Sequence, residues 1–288
     1  MLRGKSLVRL LSSKLDPIRN FADRHIGPSH SEISEMCSIV ETENLDSLTL
    51  KSLPSSILLK KLTNLGIALS ESEALDKLKY IANLNIVNKS YIGMGYHNTL
   101  VPNVILRNIM ESPSWYTQYT PYQPEIAQGR LESLVNYQTM ITDLTGMDIS
   151  NASLLDEGTA AAEAMVLCFA SDKKRNTFLV DLNCHPQTIE CIKTRAQGFK
   201  INVVVGDFNT LDLSAFGNDI MGALFQYPNT SGEIIDYSKF VETIHGYGGL
   251  VACATDLMAL AMLKPPGEFG VDIALGNCQR FGVPLGFI

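Results

Sequence analysis

"TFLVDLNCHPQTIECIKTRAQGFKINVVV", residues 177–205, sets two short apolar runs, 177–182 and 201–205, on either side of a helical candidate at 186–197. The runs are rich in β-branched and aromatic residues. They lack the polar alternation of a strand with one wet face, so both of their faces are expected to be covered. Three more runs of this texture follow: "GALFQY" (222–227), "LVACAT" (250–255) and "VDIAL" (271–275), with a helical candidate at 236–246 between the first two. Strand and helix alternate. That pattern predicts an α/β fold with a largely parallel sheet under helices on both faces.

Upstream the texture is helical. "GTAAAEAMVLCFAS" (158–171) reads as a small-residue helix. Ala127, Leu131, Leu134, Gln138, Ile141 and Leu144 share one stripe, so a long helix is expected over 124–145, ended by Gly146. Pro102 suits the first position of a helix through about Met110. Further back, Ser29 with Glu32 and Ser70 with Glu73 have capping-box spacing ahead of apolar residues at helical intervals. Residues 20–95 therefore read as a helical N-terminal arm and 96–288 as the α/β domain. Residues 1–19 stand apart: Arg3, Lys5, Arg9, Lys14 and Arg19 face one acid, Asp16, and leucines fall near one helical face. This is the pattern of a mitochondrial presequence.

Composition excludes several classes. The chain has 288 residues and a net charge of −7, which speaks against a broad basic surface for nucleic acid. No run of 18 apolar residues occurs, so no membrane span is predicted. The six cysteines include no C-x-x-C pair and most sit in apolar runs; they read as buried thiols of a reducing compartment. The five histidines show no zinc-like spacing, so no metal site is expected.

Few residues advertise chemistry. Gly158 and Thr159 open a helix, where free N–H groups can hold an anion. Asp156 and Glu157 argue against that, because two carboxylates already complement the helix dipole and repel phosphate. A capped, packing helix is the favoured reading. Asp256 follows a strand run and sits where a cofactor's protonated ring nitrogen is often held, but a cap on the following helix "LMALAML" is favoured. The loop "WYTQYTPYQPEIAQGRLE" (115–132) carries four aromatic side chains and two prolines, a stiff, phenol-lined approach to a helix.

"ADRHIGPS" (22–29), "YIGMGYHNT" (91–99), the long stretch 119–165, "MLKPPGEFG" (262–270) and "QRFGVPLG" (279–286) closely resemble glycine decarboxylase, the P-protein family of the glycine cleavage system. The resemblance implies a pyridoxal-phosphate enzyme of the aspartate-aminotransferase-like class, fold type I, here as an incomplete large domain with a helical arm. It implies two homologous halves, the second holding the cofactor and its Schiff-base lysine. The first is a degenerate copy that completes the wall of the active site. On that alignment the lysine position falls near Gln279, whose amide cannot form an imine; with Asp156 and Glu157 it marks a half that does not hold the cofactor. No catalytic residue is expected in this chain. The pocket wall facing glycine is expected from Tyr96, His97, Tyr119, Tyr122, Gln123 and Glu125, although the family usually has tyrosine at His97. The implied partners are glycine, the lipoylated H-protein, the other glycine cleavage proteins and a second copy of the full-length chain, in the mitochondrial matrix. The chain is expected to stop inside the first half. The alternative is a non-catalytic partner half, or an inactive fragment that needs the second half to work.

Overall fold

The computed structural model describes residues 27–59, 66, 68–116, 123, 125–126 and 128–285. Residues 1–19, with the expected presequence, lie outside the described residues. The chain divides into two compact units, 1–88 and 89–288.

In the first unit the described residues form helices α1 (His30–Ile39), α2 (Leu45–Ser52) and α3 (Glu71–Ala82). Both capping boxes are present. The Ser29 side chain meets the N–H of Glu32, and the Glu32 carboxylate accepts the Ser29 N–H at 2.6 Å. Ser70 and Glu73 repeat the arrangement at 2.8 Å. Each box satisfies two of the N–H groups that a helix start leaves open. Asn44 caps α2 through the N–H of Ser47.

The second unit starts at Lys89, so the glycine turn at 93–97 belongs with it. Asn103–Ile105 form one α-helical turn that widens into a π turn, Leu106–Met110, closed by Glu111 N–H onto the Leu106 carbonyl. Pro102 stands one position earlier than expected, at the N-cap. The helix expected over 124–145 is shorter: a 3-10 turn, Gln128–Arg130, leads into α4 (Leu131–Thr145). Gly146 ends α4 in the left-handed region at φ 68°, donating its N–H to the Thr142 carbonyl, which glycine does without Cβ strain.

From there the chain runs α5 (Glu157–Ser171), β1 (Thr177–Asp181), α6 (Pro186–Phe199), β2 (Asn202–Gly206), β3 (Ile220–Tyr227), α7 (Ser238–Gly246), β4 (Leu250–Thr255) and β5 (Ile273–Gly276). All five strands are parallel, in the order β2-β1-β3-β4-β5. Two cores explain the unbroken apolar runs. On one face Phe178, Val180, Leu224, Ala252 and Ala254 pack with Met165 and Cys168 of α5 and Ile192 of α6. On the other, Leu179, Phe225, Val251 and Cys253 pack with Val241 and Ile244 of α7 and with Tyr237, whose ring stacks on Phe225 at 3.9 Å. Successive residues of a strand thus go to opposite cores, as pleating dictates. At Gly222 the fit is tight. A Cβ there would lie 2.8 Å from Cys168 Sγ and 2.9 Å from the Leu250 carbonyl oxygen. The helix expected after Asp256 is a 3-10 turn, Ala259–Ala261. "MLKPPGEFG" follows directly, and its two prolines leave no room for a longer helix.

Candidate functional site

In open parallel sheets, ligands gather at the carboxyl ends of the strands, where the order reverses. Here the order reverses between β1 and β3. A cleft of about 200 Å³ opens on that edge. Each wall comes from a strand end or the segment after it. His185 follows β1, Gln226 is next to last in β3, Thr255 ends β4, and Asp256, Asn277, Gln279 and Arg280 follow β4 and β5. Glu157, the first residue of α5, and the turn Gly93–Gly95 with His97 close it.

Gln279 is buried. Its Nε2 donates to the carbonyls of His97 at 2.6 Å and Val283 at 2.7 Å, which pins the amide and turns Oε1 inward without a partner. His185 is buried too, with Nδ1 2.9 Å from Thr230 Oγ1. Burial, with the nearby His97, pushes its pKa down to about 4, because a charged imidazolium there loses its water. His97 is lowered as well, first by burial and then by Arg280. Burial pushes the Glu157 carboxyl the other way, up to about 7. A hydrogen bond from Gln226 works against that shift, and Asp256 and Asp156 reinforce it.

Asp156 caps α5 instead of opening it to a ligand: its Oδ1 accepts the Thr159 N–H at 2.6 Å. The favoured reading of a capped, packing helix matches this contact. Asp256 also has partners within the chain, accepting the Met258 N–H and Arg280 Nε, both at 3.1 Å. Pyridoxal phosphate fits this edge poorly. No lysine lines the cleft, the Glu157 carboxylate does, the Arg280 guanidinium there is paired with Asp256, and Gln279 is locked by two carbonyls.

Of the residues singled out from sequence, His97, Glu157, Asp256 and Gln279 come together in this cleft. Asp156 instead lines a larger, mainly apolar cavity of about 600 Å³ with Ile141, Leu154, Leu257 and Leu275. Tyr96 is exposed and lines neither. Gln123 and Glu125 are exposed. Tyr119 and Tyr122 lie outside the described residues. Sequence reasoning missed His185, Gln226 and Thr255. The usable sign was position, since each stands at the carboxyl end of an apolar run. His185, one of five histidines without zinc-like spacing, carried no motif of its own. Among the described residues no group of three or more His, Cys, Asp or Glu is placed to hold a metal ion, and no helix is long and apolar enough to cross a membrane.

Residues 23–288 match the family profile "Glycine cleavage system P-protein". A glycine dehydrogenase (decarboxylating) of Nostoc sp. is 52% identical over 278 residues, covering 96% of this chain and 28% of that protein. A mitochondrial glycine dehydrogenase (decarboxylating) of Flaveria anomala is 54% identical over 286 residues, covering 98% and 28%. The chain thus spans little more than a quarter of the curated relatives it matches. A crystal structure of glycine decarboxylase (P-protein) of the glycine cleavage system, in inhibitor-bound form, superposes with a TM-score of 0.78 at 33% identity, covering 91% of this chain and 60% of that one. The expected fold class, the fold type I large domain in part, is the one observed.

Proposed function

The chain belongs to the glycine cleavage system P-protein family, and from that premise we propose that it is the cofactor-free portion of a glycine dehydrogenase (decarboxylating). Such an enzyme decarboxylates glycine and passes the aminomethyl group to the lipoyl arm of an H-protein. The observation that carries the proposal is the match over residues 23–288, supported by the 0.78 superposition on a P-protein. When bound, pyridoxal phosphate supplies the electron sink for decarboxylation. In this proposal another part of the protein holds it, since the edge described above lacks a lysine and presents Glu157.

The part left to this chain is to build a wall. Glycine offers almost no surface, so a site selecting it needs rigid walls and few well-aimed polar groups. The loop at 115–132 supplies both in its sequence, with Tyr119, Tyr122 and two prolines for stiffness and Gln123 and Glu125 for aim. Tyr96 and His97 extend the same wall from the neighbouring turn. The proposal includes the other glycine cleavage proteins and a second full-length copy as partners. It also includes the mitochondrion, and within it the matrix, as location; the Flaveria relative is named mitochondrial, and residues 1–19 have presequence character.

A chimaera tests this directly. This chain replaces the matching residues of the Flaveria anomala protein, and exchange of labelled bicarbonate into the glycine carboxyl is measured with lipoylated H-protein. Exchange within several-fold of the parent is expected. A folded, cofactor-loaded chimaera without exchange overturns the proposal.

A further inference from the structure

The turn that carries Tyr96 and His97 has a strained backbone. Gly93, Met94 and Gly95 are all left-handed, at φ 65°, 55° and 83°. A left-handed methionine persists only where its surroundings hold it. Three anchors within the same unit do so. Gln279 uses both amide hydrogens: Nε2 donates to the His97 carbonyl at 2.6 Å and to the Val283 carbonyl at 2.7 Å. Val283 accepts a second bond from Thr99 Oγ1 at 2.9 Å, so the chain on both sides of Asn98 is tied to the segment after β5. At the other end of the turn, Gln187 Nε2 donates to the Met94 carbonyl at 2.7 Å. Between these bonds Gly95 lies on the His185 ring, where a Cβ would come within 3.1 Å of Cδ2 and Nε2. Thr230 Oγ1, 2.9 Å from Nδ1, holds that ring in place.

We propose that Gln279 is a positioning residue: its amide ties the turn Gly93–His97 to the end of the sheet and so sets where Tyr96 and His97 stand in the glycine wall. The inference rests on the reading of Tyr96 and His97 as part of that wall. Gln279 is buried and bonded to two segments, whereas Gln187 is exposed and bonded once. A flipped amide would set Oε1 against two carbonyls, so the donating orientation is fixed. The bonded carbonyl belongs to His97 itself, and the Tyr96 N–H bonds back to the Gly93 carbonyl at 3.0 Å, so a shift of the His97 peptide moves Tyr96 with it. A wall around so small a substrate depends on placement, since an error of about 1 Å can cost on the order of a hundredfold in rate. A lysine held in an imine has at most one N–H and cannot make both bonds. The residue that forgoes the cofactor is thus the one able to tie the turn.

The test uses the full-length, cofactor-loaded chimaera in the bicarbonate exchange assay, with hydrogen exchange of the Tyr96 amide followed by mass spectrometry. Gln279→Met keeps the volume and removes both donors. It should lower kcat/KM for glycine about tenfold or more and speed Tyr96 exchange about tenfold or more. Gln187→Leu changes an exposed side chain that the core does not need, and should move both quantities the same way by about two- to threefold. A merely structural Gln279 would lower the melting temperature and leave kcat/KM per folded, loaded molecule unchanged. That result overturns the proposal, as does unchanged Tyr96 exchange in Gln279→Met. Should Gln279→Met fail to fold, Gln187→Leu decides, and no change in either quantity overturns the proposal. Tyr96→Ala and His97→Ala separate the two readings. If both leave kcat/KM unchanged, the wall reading fails and this inference with it. If they lower it while Gln279→Met does not, this inference alone fails.

Discussion

Glu157 and His185 line one cleft, and burial pushes them in opposite directions with opposite consequences for stability. The His185 pKa falls from 6.5 to about 4 on folding, so between these values the unfolded chain binds the extra proton. Its contribution is complete above pH 6.5 and lost as pH falls toward 4. Glu157 rises from 4.5 to about 7, so the folded chain binds the extra proton. Its contribution is complete below pH 4.5 and lost as pH rises through 7. From pH 4.5 to 6.5 the two slopes oppose each other. Relative to the unsubstituted chain, Glu157→Gln should therefore gain stability as pH climbs from 4.5 to 7. His185→Gln should gain it as pH drops from 6.5 to 4. Each difference is at most about 3.4 kcal/mol over its window, read from urea unfolding at both ends. A second prediction concerns the loop at 115–132. In the chimaera, Glu125→Gln should lower glycine turnover by more than about tenfold if its carboxylate is aimed at the substrate. Its melting temperature should barely move, because an exposed loop side chain changes stability by less than about 0.5 kcal/mol. The reverse order would make Glu125 a structural residue. At this scale the caps Asp156 and Asp256 were legible from local chemistry, and Gln279 only through resemblance. Gln279 and Glu157 stood out by departing from the family's cofactor-binding pattern. Gln226 and Thr255 gave no sign of their own, because a polar residue closing an apolar run looks like an ordinary strand end.

Capping made the helices readable. Ser29 and Ser70 lie three residues ahead of a glutamate, and that local geometry survives in the structure because it depends on neighbours alone. Asp156 is the cap whose loss should be felt most in the second unit, because α5 packs directly on the sheet. Asp156→Ala should cost about 1 kcal/mol, while Asp156→Asn, which keeps an accepting oxygen, should cost only a few tenths; thermal melts of the two variants separate cap from charge. Gly222 gives the strand counterpart. Gly222→Ala drives a methyl against Cys168 and a β4 carbonyl, at an expected cost of about 1–3 kcal/mol in denaturant unfolding. The less legible elements were those decided by something other than period. The spacing after Pro102 is the same whether the turn closes as α or widens as π. "LMALAML" has helical spacing, yet only three of its residues form a 3-10 turn before the prolines.

For the whole molecule, a parallel sheet covered on both faces was legible because five apolar runs lacked polar alternation. Strand order was not, since an apolar run does not record which side its crossover takes. The first unit shows a different economy. Among its described residues none in α2 or α3 is buried, and Leu75, Leu78 and Ile81 of the α3 stripe are exposed. A peptide of residues 27–88 should accordingly melt gradually by circular dichroism, without a cooperative transition. The sheet itself has two margins. β5, Ile273–Gly276, pairs with β4 on one side, and among the described residues no strand pairs with it on the other. Its "IALG" carries neither charge nor proline to discourage company. That margin is a template for a further strand. Unless something covers it, solutions of the chain should show mass growing with concentration in light scattering, by association margin to margin.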